Sequence, residues 1–262
     1  MFPVLFKVGP VAIHSYGLMA AIAVLIGYHL ALRNCRRFGI SPRAIEVVAL
    51  LVVVGGLVGA RMVFVLENAS YYFRHPLEVL YTWRGGLSWH GALLGGTIVA
   101  FAYAKRAKIP TLDLLDCFAP IAALGLAIGR IGCFLNGCCY GVPTDLPWGI
   151  RFRTPEGGLT PPSHPAQLYA FLGNFLLFIG LWRWQDRRKF SGHVFLAYLA
   201  WYSVLRGALE WIRRGVTAPL AIDGVTWGQV VSAVILAVAL FLIHKGKAKA
   251  GGVSKGDARK EG

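Results

Sequence analysis

Apolar residues in this chain gather into seven long stretches separated by short polar segments. They fall at about Ser15–Leu32, Ala44–Leu66, Leu87–Ala104, Leu112–Ile131, Ala166–Trp184, His193–Ile212 and Trp227–Ile243. Each approaches the roughly 20 residues that carry an α-helix across a bilayer, the third and fourth being the shortest or most interrupted by polar residues. The pattern predicts an all-α polytopic membrane protein with seven transmembrane helices. The first stretch is expected to remain in the membrane. It is too long for a signal-peptide h-region, has no A-x-A-type exit, and is followed by "RNCRR" rather than preceded by basic residues. Two polar segments are long enough to build a small extracytoplasmic cap. Residues 68–86, "NASYYFRHPLEVLYTWRGG", mix aromatics with Arg74, His75 and Arg84, as an interfacial segment does. Residues 141–165, "GVPTDLPWGIRFRTPEGGLTPPSHP", are turn-rich, with a short strand expected around Trp148–Arg153. Residues 1–244 thus read as one transmembrane domain without internal repeats, and 245–262 as a basic, disordered cytoplasmic tail.

Composition agrees with this reading. Of 262 residues, 56% are hydrophobic and 15% charged, with a mean hydropathy of +0.57; a soluble domain carries about 25% charge. The net charge of +15 would suit nucleic acid, but its placement argues otherwise. Basic clusters follow the first stretch (Arg33, Arg36, Arg37, Arg43), the third (Lys105, Arg106, Lys108) and the fifth (Arg183, Arg187, Arg188, Lys189), and recur in the tail. The positive-inside rule then places the N-terminus outside and the C-terminus in the cytoplasm. No nucleic-acid partner is expected, and the tail is free to touch anionic lipid headgroups.

Ionisable residues within hydrocarbon cost about 2.5–3.5 kcal/mol each on insertion scales and mark function by default. Here they are Arg61, His90, Arg130, Arg206 and Glu210, with Tyr16, Asn136, Gln167 and Asn174 as uncharged polar company. At about 1.5 Å per residue, Arg61 and Arg130 lie roughly 25 Å from the inner face and Arg206 roughly 20 Å. Tyr16, His90 and Gln167 stand at the outer ends of inward-running helices. All but Asn174 converge on the outer half of the membrane, which predicts one polar cavity open to the outer leaflet. Blander roles exist for several of them. Arg206 and Glu210, four apart, could only neutralise each other; Arg61 could snorkel to the interface; and His90, beside Trp89, could be interfacial. Arg130, between Gly129 and Gly132, is the hardest to explain structurally. A cavity richer in arginines than carboxylates suits a phospholipid phosphate. A base such as His90 beside it suggests group transfer from a lipid.

Cys133, Cys138 and Cys139 form a C-x4-C-C cluster in "GRIGCFLNGCCYG". Zinc sites usually add a second cysteine pair or histidines at a set distance, and none follows nearer than His164, so no metal is expected. A disulfide from Cys133 to either neighbour, a nucleophilic cysteine activated by His90, and plain close packing all remain open.

The motifs resemble the prolipoprotein diacylglyceryl transferase family. The likeness runs in order over nearly the whole chain, through "HSYGLM" (14–19), "GARMVFV" (59–65), "GGLSWHGALLGG" (85–96), "GRIGCFLNGCCYG" (129–141), "HPAQLYAFL" (164–172) and "RGALEWIRR" (206–214). The resemblance implies a multi-pass bacterial inner-membrane enzyme with its active site toward the outer leaflet. It would transfer the diacylglyceryl group of phosphatidylglycerol to the lipobox cysteine thiol of a preprolipoprotein signal peptide, giving a thioether and glycerol 1-phosphate ahead of signal peptidase II. The family's phospholipid-binding arginine falls on Arg130, its second essential arginine on Arg206, its histidine on His90 and its motif tyrosine on Tyr16. Asn136, Gly141 and Glu210 match later positions, and Arg61 is a further candidate for phosphatidylglycerol binding. No cofactor is implied, because a phosphodiester already carries a competent leaving group. The signature commonly has Asn where Cys133 stands and an acid where Cys138 stands, so those two roles do not carry over. Two other readings use the same residues: a non-enzymatic phospholipid binder or transporter, which needs the arginines but no base, and a cysteine redox protein.

Overall fold

The seven apolar stretches fold as helices. A computed structural model of the chain describes residues 4–8, 11–82, 85–154, 157–213 and 225–257. A short antiparallel hairpin, β1 (Val4–Val8) and β2 (Val11–His14), precedes α1 (Ser15–Asn34). Then follow α2 (Pro42–Glu67), the single turn α3 (Ala69–Tyr72), α4 (Trp89–Arg106), α5 (Thr111–Asn136), α6 (Ala166–Trp184), α7 (His193–Ile212) and α8 (Trp227–Asp257). By length and composition four segments can cross a membrane: Ser15–Phe38, Pro42–Glu67, Thr111–Asn136 and Trp227–Ala250. The protein is all-helical as expected, apart from the short N-terminal hairpin, which the pattern did not predict. The expected strand near Trp148 appears only as isolated bridges, Ile150 to Ser163 and Arg153 to Leu159.

The tail departs from expectation. α8 continues through Lys245, Lys247 and Lys249 to Asp257, where disorder was expected, and the remainder of the expected tail, 258–262, lies outside the described residues. Lysine and alanine, which favour helix, alternate over 247–250, and a helix already about five turns long extends without a new nucleation cost.

The chain divides into two compact units, Ala31–Leu114 and Met1–Leu30 with Leu115–Gly262. In the first, Ser41 caps α2 by accepting from Ala44 N–H at 3.3 Å, with Pro42 at the first helical position. α2 and α4 meet through glycines. A Cβ on Gly95 would stand 2.2 Å from the Gly55 carbonyl oxygen, and one on Gly91 2.2 Å from that of Gly59. Such small-residue contacts let two helix backbones touch where lipid offers no hydrophobic driving force.

The second unit has a core of Ala119, Ala123, Leu177, Leu181 and Val194, with Phe178, Trp184 and Tyr198 packed on it. Asp116 is fully buried and accepts from the Gly192 and Phe195 N–H groups at 2.8 Å each, with Arg188 at 3.5 Å, fixing the start of α7 to α5. Residues 141–165 fold back on themselves through backbone bonds such as Ile150 with Ser163 and Thr160 with Phe152. Phe152 is fully buried there, stacked on Tyr140 at 4.7 Å.

Candidate active site

The end of α5 organises the candidate site. Gly137 adopts φ +79°, and the chain closes with Gly137 N–H donating to the Phe134 carbonyl and Cys138 N–H to the Cys133 carbonyl, both at 3.1 Å. This is a Schellman cap, which needs a left-handed residue and brings the side chains five residues apart into contact. Those side chains are Cys133 and Cys138, so the C-x4-C spacing is the geometry of the helix end. Cys139 follows at φ +65°, unusual for a residue with a Cβ. The three sulfurs all lie within 4.8 Å of one another, and all three thiols are free. From α6, buried Gln167 donates to the Cys138 carbonyl at 2.7 Å and holds the turn. Hydrogen bonds from Cys133 and Cys138 hold the Cys139 thiol well below its ordinary pKa. The charges of Arg213 and Arg130 act in the same sense, against the opposing effect of burial.

Arg130 lies half-buried two turns before this cap. Tyr16, at the start of α1, comes close because Gly132 has no side chain: a Cβ there would stand 3.2 Å from both Tyr16 Cδ2 and Met19 Cβ. Tyr16 feels the charge of Arg130 and of the three cysteines.

α7 contributes Arg206, Glu210 and Arg213, spaced i, i+4 and i+7 along one face. Arg206 donates to Glu210 Oε2, and Gly228 of α8 lies against the carboxylate, where a Cβ would be 3.1 Å from Glu210 Cδ. Glu210 is only 1% exposed, and its Oε1 has no hydrogen-bond partner among the described residues. Arg213 is buried at the end of the helix; burial and then the positive charge of Arg130 lower its pKa, Arg206 adds to this, and Cys139 and Glu210 oppose it. Among the described residues, the site thus gathers three guanidinium groups and one carboxylate. Gly141 stitches the parts together. Its N–H donates to the His164 carbonyl and Val142 N–H to that of Ile212, both at 2.8 Å, and a Cβ on Gly141 would stand 2.8 Å from the Ile212 oxygen. It serves close backbone approach.

The structure therefore brings together Tyr16, Arg130, Arg206, Glu210 and the cysteines, with Gly141 against Ile212 and His164, and with Asn136 exposed at the cap of α5. Sequence reasoning missed Arg213; its position seven residues after Arg206 was the available signal.

Arg61 and His90 belong to the Ala31–Leu114 unit. Arg61, 7% exposed, donates to four backbone carbonyls: Glu78 at 2.6 Å, Val79 at 2.8 Å, and Gly85 and Gly86 at 2.9 Å. The Phe64 and Tyr72 rings flank it, centroids 5.8 and 5.2 Å away. Snorkelling to water and phosphate binding were the two roles expected of it; instead its donors satisfy loop backbone, as a buried guanidinium requires. Gly85 and Gly86 both have positive φ, and a Cβ on Gly86 would stand 2.7 Å from the guanidinium. His90 is exposed in the first turn of α4, beside Trp89.

Comparison with known proteins adds a family. The model described as "Prolipoprotein diacylglyceryl transferase" matches residues 3–245. A Thermus thermophilus protein named phosphatidylglycerol–prolipoprotein diacylglyceryl transferase is 36% identical over 277 residues, covering 93% of this chain and 98% of its own length. A protein of the same name from Synechococcus elongatus is 38% identical, covering 90% of this chain and 84% of itself. Another, from Bordetella parapertussis, is 36% identical, covering 81% of this chain and 82% of itself.

Proposed function

The chain belongs to the prolipoprotein diacylglyceryl transferase family, and we propose that it moves the diacylglyceryl group of phosphatidylglycerol onto the lipobox cysteine thiol of a preprolipoprotein. A thioether forms and glycerol 1-phosphate leaves. The observation that supports this most directly is the convergence of Arg130, Arg206 and Arg213, with Glu210 paired to Arg206.

Arg130 and Arg206 hold the phosphodiester and neutralise the negative charge that grows on the leaving phosphate. Glu210 keeps Arg206 oriented, and Arg213 adds to the field. Tyr16 and Asn136 orient donor or peptide. His90 takes the proton of the substrate thiol, directly or through one water. The thiolate attacks the glyceryl carbon, the C–O bond breaks, and its electron pair leaves on glycerol phosphate. Gly141 and Arg61 act indirectly, the first by letting two backbones meet and the second by clamping the 78–86 loop. Neither substrate is water-soluble as presented, so both enter sideways from the bilayer. α1, α2 and α4–α8 serve as seven spans of one catalytic domain, with the N-terminus outside, the C-terminus cytoplasmic and the site facing the outer leaflet of the inner membrane.

The test is transfer from labelled phosphatidylglycerol to a lipobox peptide. Arg130→Ala should lower the rate by about 10²–10³, the loss typical of removing one charge-stabilising donor. His90→Gln should abolish transfer while phosphatidylglycerol binding persists. A wild-type protein that binds the lipid but forms no thioether would be a lipid binder and would sink the transferase reading.

A further inference from the structure

We propose that Cys133, Cys138 and Cys139 form a trithiolate site for one thiophilic metal ion, Zn²⁺ foremost, whose fourth position is open to the acceptor thiol. The metal site stands on the geometry of the cluster alone, whereas its open position rests on the transferase reading above.

The cluster is built into the fold. The Schellman end of α5 sets Cys133 against Cys138, the left-handed Cys139 turns its own sulfur toward them, and Gln167 fixes the intervening carbonyl. Three sulfurs each about 2.3 Å from one zinc ion stand about 3.8 Å apart in a tetrahedron. The observed sulfurs are all within 4.8 Å of one another, so side-chain rotation closes the ring. A C-x4-C-C sequence lacks the two-pair spacing of structural zinc motifs, and for that reason no metal was expected from the sequence. A helix cap supplies the convergence that a zinc knuckle supplies elsewhere. Three protein ligands with one vacant position is the arrangement of catalytic zinc.

The charge balance agrees. Among the described residues three guanidinium groups and one carboxylate gather here, an excess of positive charge. A dication held by three thiolates carries a net charge of −1 and offsets that excess, where a bare dication would add to it. Tyr16 and Arg130 lie close enough to feel the charge of the cysteines. A metal there would sit beside the arginine that holds the phosphate.

The chemistry balances without a co-reactant. The acceptor R–SH binds as fourth ligand and releases its proton to solvent. The metal-held sulfur forms its bond to the glyceryl carbon as the C–O bond breaks, and the electron pair departs on glycerol phosphate. The product thioether is a far poorer ligand than a thiolate and dissociates. The metal keeps its oxidation state throughout.

The experiment measures metal in the purified full-length protein by elemental mass spectrometry, then replaces it with Co²⁺ and reads the thiolate-to-metal absorption. About one equivalent of zinc is expected, with a Co²⁺ band of three-thiolate intensity that grows by about a third when a lipobox peptide is added. Cys138→Ser and Cys139→Ser should each weaken binding about tenfold or more, and Cys35→Ser should leave it unchanged. The Co²⁺ intensity of the wild type counts ligands even if a variant fails to fold. Absence of metal from wild type, retention in both serine variants, or two of the three cysteines locked in a disulfide overturns the site. Thioether formation by metal-free protein overturns it while leaving the transferase reading intact. Stoichiometric metal with no thioether formed keeps the site and overturns that reading, with the thiol at the fourth position.

Discussion

Arg61 shows how a residue conspicuous in the sequence can find its partners in backbone rather than in side chains. An arginine inside an apolar helix stands out in any sequence, and a phosphate is the obvious partner. Its actual partners are backbone carbonyls 17 to 25 residues further on, which carry no side-chain signature. A lysine presents its donors from one point and cannot span four carbonyls. Arg61→Lys should therefore destabilise nearly as much as Arg61→Ala, each by about 3–5 kcal/mol, the range for breaking a buried charge's partnership. Thermal unfolding in detergent checks this, and a lysine variant as stable as wild type would remove the clamp. Arg213 is the converse case. Its residue type does not set it apart at the end of α7, and only its spacing from Arg206 and Glu210, on one face, gives it meaning.

Among the elements, the apolar stretches fix the helices well: α6 and α7 begin and end on the expected residues, and α8 begins on Trp227. Long runs of hydrophobic residues leave little choice when every backbone group must be satisfied within its own segment. What could not be read was how the helices pack and how they end. The α2–α4 contact depends on which glycines face each other, and the cysteine cluster on a cap that only Gly137 announces. Gly95→Val should weaken the α2–α4 pair by about 1–3 kcal/mol or more, because a Cβ there meets the Gly55 carbonyl oxygen at 2.2 Å. Gly125→Ala, where a Cβ meets nothing within 4 Å, should instead stabilise α5 by about 0.5–1 kcal/mol. Chemical unfolding of the two variants side by side tests the pairing, and equal effects would refute it.

For the whole molecule, the distribution of charge carries the proposed topology. Basic residues crowd the segments after α1, α4 and α6 and the end of α8, so these should face the cytoplasm. A phosphatase reporter that is active only outside the cytoplasm should be active when fused after Gly158 and inactive after Gly39 or Gly246. An active fusion at Gly246 would overturn the seven-span arrangement. The folded 141–165 segment, which buries its own Phe152, and the clamped 78–86 loop both fall on the side expected to face out.

The Arg61 clamp also has a consequence for biogenesis. α2 leaves the ribosome before the carbonyls of residues 78–86 that satisfy its guanidinium. In the interval the nascent helix would carry an unpaired cation into lipid, at about 2.5–3.5 kcal/mol on insertion scales. The helix and the loop after it are thus bound into one act of membrane integration, in which α2 settles only once synthesis has passed Gly86.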